Sequence, residues 1–176
     1  KRYLALSKTY TRDNSDLYIY NFDNQNLKKF LFEETDVNHS PAGFSLDSKI
    51  LYYVTDLDSE FRYLKKYNIE TGKVELVQKE NWDIVANYFS ESGKYRITTI
   101  NKDSQTEIKI LNTINGKYLK LPKMPSGNIS SINMSKSESL MSFYHGGAQS
   151  PGDLYYYKIG SRKPSRLTSS MNPLID

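Results

Sequence analysis

Three related phrases recur in this chain at one interval. They are Phe44-Ser-Leu-Asp-Ser-Lys, Phe89-Ser-Glu-Ser-Gly-Lys and Met134-Ser-Lys-Ser-Glu-Ser, and each begins 45 residues after the one before. A fixed period of this size marks an array of supersecondary units. Each unit cannot bury its own apolar surface and leans on the next. Whatever the fold, it must be assembled from pieces of that length.

The middle unit shows what one piece contains. Ile84 to Phe89 alternates apolar and polar residues, as a strand does. Glu91-Ser92-Gly93-Lys94 is a turn with a glycine available for positive φ. Tyr95 to Ile100 is a second strand and Glu107 to Asn112 a third. Thr113 to Lys117 carries an Asn-Gly hairpin signal, and Tyr118 to Leu121 is a fourth strand closed by Pro122. Four short antiparallel strands per period describe one propeller blade.

The neighbouring units follow the same plan. Lys49 to Thr55, Tyr63 to Ile69 and Val74 to Gln78 are strands of the second unit. Leu140 to Tyr144, Leu154 to Ile159 and Ser165 to Thr168 are strands of the last. The third strands align without gaps at Leu17, Leu64, Ile108 and Leu154, and Asn21, Asn68 and Asn112 follow three of them. The first unit has Tyr3 to Ser7, Leu17 to Phe22 and Leu27 to Phe32, but no inner strand.

The expected fold is therefore all-β, a partial propeller of about four blades, each of four antiparallel strands. It occupies residues 1–176, with blades at 1–36 (lacking the inner strand), 37–81, 82–126 and 127–170. A meander or β-sandwich built from the same hairpins is the alternative. Tyr52-Tyr53 and Tyr155-Tyr156-Tyr157 are read as sheet packing, because a tyrosine ring fills an interface while its hydroxyl stays at a wet edge.

Charge and composition narrow the function classes. The net charge is +4, but Lys and Arg stand singly or in pairs among acids, so no concentrated nucleic-acid footprint is expected. There is no cysteine, which removes disulfides and thiolate metal sites. No run of 18 apolar residues is present, so no membrane span is expected. The compartment stays open between cytoplasm and periplasm.

Candidate chemistry is sparse. Gly43-Phe44-Ser45-Leu46-Asp47 is one residue from a nucleophile elbow, but Asp47 replaces the required glycine. Ser45 also has counterparts at Ser90 and Ser135, which gives it a structural role. His145-Gly146-Gly147 is similar to an oxyanion-hole loop and is read as loop chemistry between two strands. His39 and His145 are the only histidines. Carboxylates stand at Asp13 and Asp16 in one loop and at Asp56, Asp58 and Glu60 in another; the alternating acids of 56–60 could hold a hard cation but lack the pattern of a calcium loop, so a solvated surface is the expectation. No phosphate-binding glycine motif occurs. No catalytic, cofactor-binding or metal-ligating residue is assigned, and no cofactor is expected.

The blade phrases resemble those of TolB-like propellers and of the propeller domain in the prolyl oligopeptidase family of serine peptidases. Ser90-Glu-Ser-Gly-Lys94 and Arg166-Leu-Thr168 carry the resemblance, and the tail from Arg166 to Asp176 is similar to the hand-over from last blade to hydrolase domain. The resemblance implies a non-catalytic domain that gates peptide access to a hydrolase it does not contain. Its partners would be that hydrolase domain or the remaining blades, and peptides. The alternative is a TolB-like scaffold for protein partners. Uncovered sheet faces at the ends of an array also make a homodimer an expectation.

Overall fold

The structure is a computed structural model and describes residues 2–30, 36–125, 127–148, 150–172 and 174. Among these residues it is all-β, without helix. The strands are β1 (Tyr3–Thr11), β2 (Asn14–Asn21), β3 (Asn26–Lys29), β4 (His39–Phe44), β5 (Ile50–Thr55), β6 (Tyr63–Asn68) and β7 (Val74–Gln78). They continue as β8 (Asp83–Phe89), β9 (Tyr95–Lys102), β10 (Gln105–Asn112), β11 (Asn128–Met134), β12 (Leu140–Gly147), β13 (Ser150–Lys158) and β14 (Ser165–Arg166). Four sheets result, in the orders β1-β2-β3, β4-β5-β6-β7, β10-β9-β8 and β11-β12-β13-β14. Neighbouring strands of the first, second and fourth of these sheets run antiparallel. These are propeller blades, and the fold is a partial propeller.

The chain divides into two compact units, Lys1–Tyr88 with Thr98–Ile100, and Phe89–Ile97 with Asn101–Asp176. In the first, the sheet containing β5 is buried on both faces. Leu51 and Tyr53 alternate with Tyr52 and Val54 along β5, so the two pairs point to opposite sides. Leu51, Tyr53 and Tyr67 pack with Leu17, Ile19 and Phe30 of the preceding sheet. Val54 and Leu64 pack with Ala42, Ile84 and Ile100 on the other side. Phe30 joins its neighbours through ring contacts to Tyr67 at 4.6 Å and Tyr53 at 5.8 Å.

The 45-residue period is a period of hydrogen bonds. The hydroxyls of Ser45, Ser90 and Ser135 accept the backbone N–H of Ile50, Tyr95 and Leu140 at 3.0, 2.9 and 3.2 Å. The same serines donate their own N–H to the carbonyls of those residues, each at 2.9 Å. The turn inside needs a positive φ, which Ser48, Gly93 and Glu138 adopt in turn. Glycine does so freely, whereas Ser48 and Glu138 must be held. Glu138 is held by its carboxylate, which accepts the N–H of Ser92 at 2.9 Å and its hydroxyl at 2.8 Å.

The asparagines after the third strands also have a physical role. Asn68 Oδ1 accepts the N–H groups of Glu70 and Thr71, Asn112 Oδ1 those of Ile114 and Asn115, and Asn21 Oδ1 that of Asp23. Each amide caps the turn that follows its strand.

Two expectations are corrected. Tyr118 to Leu121 is not a strand: pairing stops at the Leu111–Tyr118 bridge and a Leu119 N–H to Ile110 carbonyl bond of 2.7 Å. Pro122 and Pro125 have no N–H to extend the ladder. Nor is His145-Gly146-Gly147 a loop. It lies within β12, with His145 opposite Asp153 and Gly146 opposite Asn128. A Cβ on Gly146 would come within 2.7 Å of Gly152 Cα, so the backbone at 151–152 leaves no room for a side chain at Gly146. Smaller differences concern strand ends. β3 stops at Lys29 with Leu31 and Phe32 outside the described residues, and β14 stops at Arg166 because Thr168 turns back toward Asp153.

Two measurements test these locks. Glu138→Ala leaves a positive φ on a residue without its anchor and should cost about 1.5–3 kcal/mol, the usual value of hydrogen bonds to a charged group. Glu138→Gly should cost less, and a cycle with Ser92→Ala should show coupling in urea unfolding. Gly146→Ala should lower stability by about 1–3 kcal/mol through overpacking against Gly152.

Candidate functional site

A polar concavity lies in the first unit, where the β1–β2 and β5–β6 loops meet the entries of β4 and β8. It has a volume of about 360 Å³, and Arg12, Asp13, Asn38, Asp56, Arg62 and Asp83 line it together with Glu60. Of the acids singled out in the sequence, the fold brings together Asp13, Asp56 and Glu60. Asp58 does not line this cavity. Asp16 is elsewhere, paired with Lys29 at 2.7 Å and accepting from the Tyr10 hydroxyl at 2.8 Å. The Lys29 ammonium leads in holding its carboxyl below the usual range.

Several of the cavity's groups already serve the fold. Asp56 Oδ1 accepts the N–H of Asn38, and Asp83 Oδ1 that of Arg62, both at 2.8 Å. Asn38 Nδ2 donates to the Arg12 carbonyl at 2.9 Å. The Asp83 bond belongs to a staple that recurs. Asn14 donates to Asp36, and the N–H of Thr106 to Asn128 Oδ1 at 3.1 Å. In each case the start of a third strand grips the start of the next inner strand, 21 or 22 residues later. That spacing was present in the sequence, but no side-chain pattern marked Asn38, Arg62 or Asp83. Among the described residues no group of three His, Asp or Glu is placed to hold a metal ion.

Among the described residues the turn serines Ser45, Ser90 and Ser135 make no hydrogen bond to His39 or His145, and Ser7 and Ser15 meet His39 only at its backbone. Ser45 donates to Asp47 Oδ1, which lowers the Asp47 pKa, while it accepts from Ile50 N–H. His145 Nε2 lies 3.2 Å from the Pro125 carbonyl. Its strand partner Asp153 is buried and accepts from Thr168 Oγ1, Ser170 N–H and Arg166. Burial pushes the Asp153 carboxyl up, but these donors outweigh it and the net shift is downward. The tail at 166–170 is thereby fastened to β13.

His39 stands apart. It is 3% exposed, and neither ring nitrogen has a hydrogen-bond partner among the described residues. The ring meets Tyr53 edge-on at 6.1 Å. Burial lowers its pKa, with Asp56 and Asp16 opposing and Lys65 and Lys29 assisting. Of the tyrosine runs, Tyr53 and Tyr157 are buried, Tyr155 stacks on Phe143 at 5.7 Å, and Tyr156 is exposed.

This architecture defines a β-propeller domain, and known structures agree. TolB from Acinetobacter baumannii superposes with a TM-score of 0.68 at 16% identity, over 96% of this chain and 41% of that one. A prolyl endopeptidase, from a structural and mechanistic analysis of two such enzymes concerning inter-domain dynamics in catalysis and specificity, gives 0.75 at 13% identity. That match covers 98% of this chain and 26% of the endopeptidase. The chain thus spans well under half the length of either structure. No protein-family model and no curated protein matches it. The fold is that of a TolB-like or prolyl-oligopeptidase-type propeller.

The buried histidine makes a pH prediction. Its folded pKa is depressed, so below the ordinary value of about 6.5 the unfolded chain takes up a proton that the folded chain refuses. Stability contributed by neutral His39 is present above that value and lost as the pH falls toward the folded pKa. The urea midpoint should drop between about pH 7.5 and about pH 5.5. In His39→Phe the drop should shrink.

Proposed function

We propose that this chain is a propeller domain with no catalytic residue of its own, acting as the peptide-gating domain of a prolyl-oligopeptidase-type serine peptidase. The observation that carries this reading is the likeness of 98% of the chain to about a quarter of a prolyl endopeptidase. Inside the chain, the serine hydroxyls nearest to an elbow context are occupied by turn hydrogen bonds, which supports a nucleophile located elsewhere. Under this reading the partners are a hydrolase domain and the peptides that pass to it.

A second reading is a TolB-like scaffold for protein partners, supported by the likeness over 96% of the chain to TolB. The rest of the coding region distinguishes the two. A G-x-S-x-G elbow within roughly two hundred residues, about one domain's length, is expected on the first reading. Further blades in its place favour the scaffold. The chain itself should release no more 4-nitroaniline from a prolyl anilide than buffer does. Turnover abolished by Ser45→Ala, Ser90→Ala or Ser135→Ala would overturn both readings.

A further inference from the structure

Where the third sheet lacks an outer strand, the chain leaves a groove. After the Leu111–Tyr118 bridge, residues 119–123 depart from β10. Facing them is the turn that follows β13, held by bonds from the Tyr157 hydroxyl to the Ser161 carbonyl at 3.0 Å and from Ser161 N–H to the Lys158 carbonyl at 2.9 Å. The cavity between them measures about 590 Å³.

Its charge is one-sided. Lys120 and Lys123 rise from one wall and Arg162 and Lys163 from the other, all exposed, and no carboxylate lines the cavity. Among the described residues none of the four charged side chains enters an ion pair or a hydrogen bond, and Lys163 is engaged only through its carbonyl, which accepts from the Ser161 hydroxyl at 3.2 Å. Elsewhere several cations are matched, as in Arg2–Asp23, Lys49–Glu70, Lys66–Glu75 and Lys102–Glu107. The floor is aliphatic, from half-buried Leu119, Leu121 and Pro122. The sequence hid this cluster, because its two halves lie about forty residues apart.

We propose that the groove binds an extended acidic peptide segment, with carboxylates reaching the cations of both walls and an apolar side chain seated on the leucines between them. Four cations in one concavity complement a short run of acids. A single-stranded nucleic acid would need an open aromatic face for its bases. The one aromatic lining residue, Tyr157, is 4% exposed and offers none. Residues 120–123 lie outside any strand, and of them Lys120, Leu121 and Lys123 carry a backbone N–H that an extended chain can engage. The inference goes beyond the gating reading and does not depend on it.

The test uses the whole chain and a fluorescein-labelled hexapeptide, Gly-Glu-Leu-Asp-Glu-Gly, followed by anisotropy. The wild type should bind it, and binding should weaken as salt is raised. Lys120→Gln with Lys123→Gln, and separately Arg162→Gln with Lys163→Gln, should each weaken binding about tenfold or more, a usual effect of removing complementary charge. These side chains are exposed, and circular dichroism checks that both variants fold. Replacing the peptide's leucine by serine should also weaken binding. A wild type that ignores the peptide, variants that bind it unchanged, or tighter binding of an oligothymidylate of similar charge would each overturn the proposal.

Discussion

A serine hydroxyl that closes the turn between the first two strands of a blade fixes the geometry on which the other contacts depend. Ser45, Ser90 and Ser135 each grip the first N–H of the strand that follows. That grip sets the register between inner and second strand. In a sheet buried on both faces, a slip of one residue would exchange Leu51 and Tyr53 for Tyr52 and Val54. The two apolar clusters of the first unit need those side chains on opposite sides. The hydroxyl therefore acts on the whole core through one hydrogen bond per blade.

Burial of both faces pushes polar groups toward strand ends and loops. This is why four acids of the first unit gather where the β1–β2 and β5–β6 loops converge, and why two of them, Asp56 and Asp83, are tied to a backbone N–H. His39 is the exception, a buried ring at the start of an inner strand that meets Tyr53 edge-on and whose nitrogens have no hydrogen-bond partner among the described residues. A buried unpartnered imidazole is tolerated in its neutral form and resists protonation, since burial disfavours the charged form more than the nearby Asp56 and Asp16 favour it.

Much of the fold was legible because repetition let weak signals confirm one another. Val74 to Gln78 was read to the residue, and β5, β6, β8 and β9 to within two. What failed to read depended on a partner outside the local window. The glycines at 146 and 147 look like loop residues until Gly152 is seen to lie against the first of them. The missing glycine of the third turn is replaced at Glu138 by a clamp on Ser92, 46 residues away. Tyr118 to Leu121 has strand composition, and only the prolines that follow explain why its ladder stops after one bridge. The acids were legible as a type but not as a group, because Asp13 joins Asp56 and Glu60 through the fold alone.

The same logic bears on where recognition can reside in such a chain. In a repeat, most polar positions recur in equivalent roles: serine as turn lock, asparagine as cap, acid as staple between consecutive strands. A residue in such a role is held by the fold, and changing it costs stability. Residues free to meet a partner are left where the repeat breaks. The departure of residues 119–123 from the third sheet is such a break, and around it collect four cations that form no ion pair among the described residues. Like charges in one concavity repel and contribute nothing to folding, so their gathering there is a cost that an acidic partner relieves.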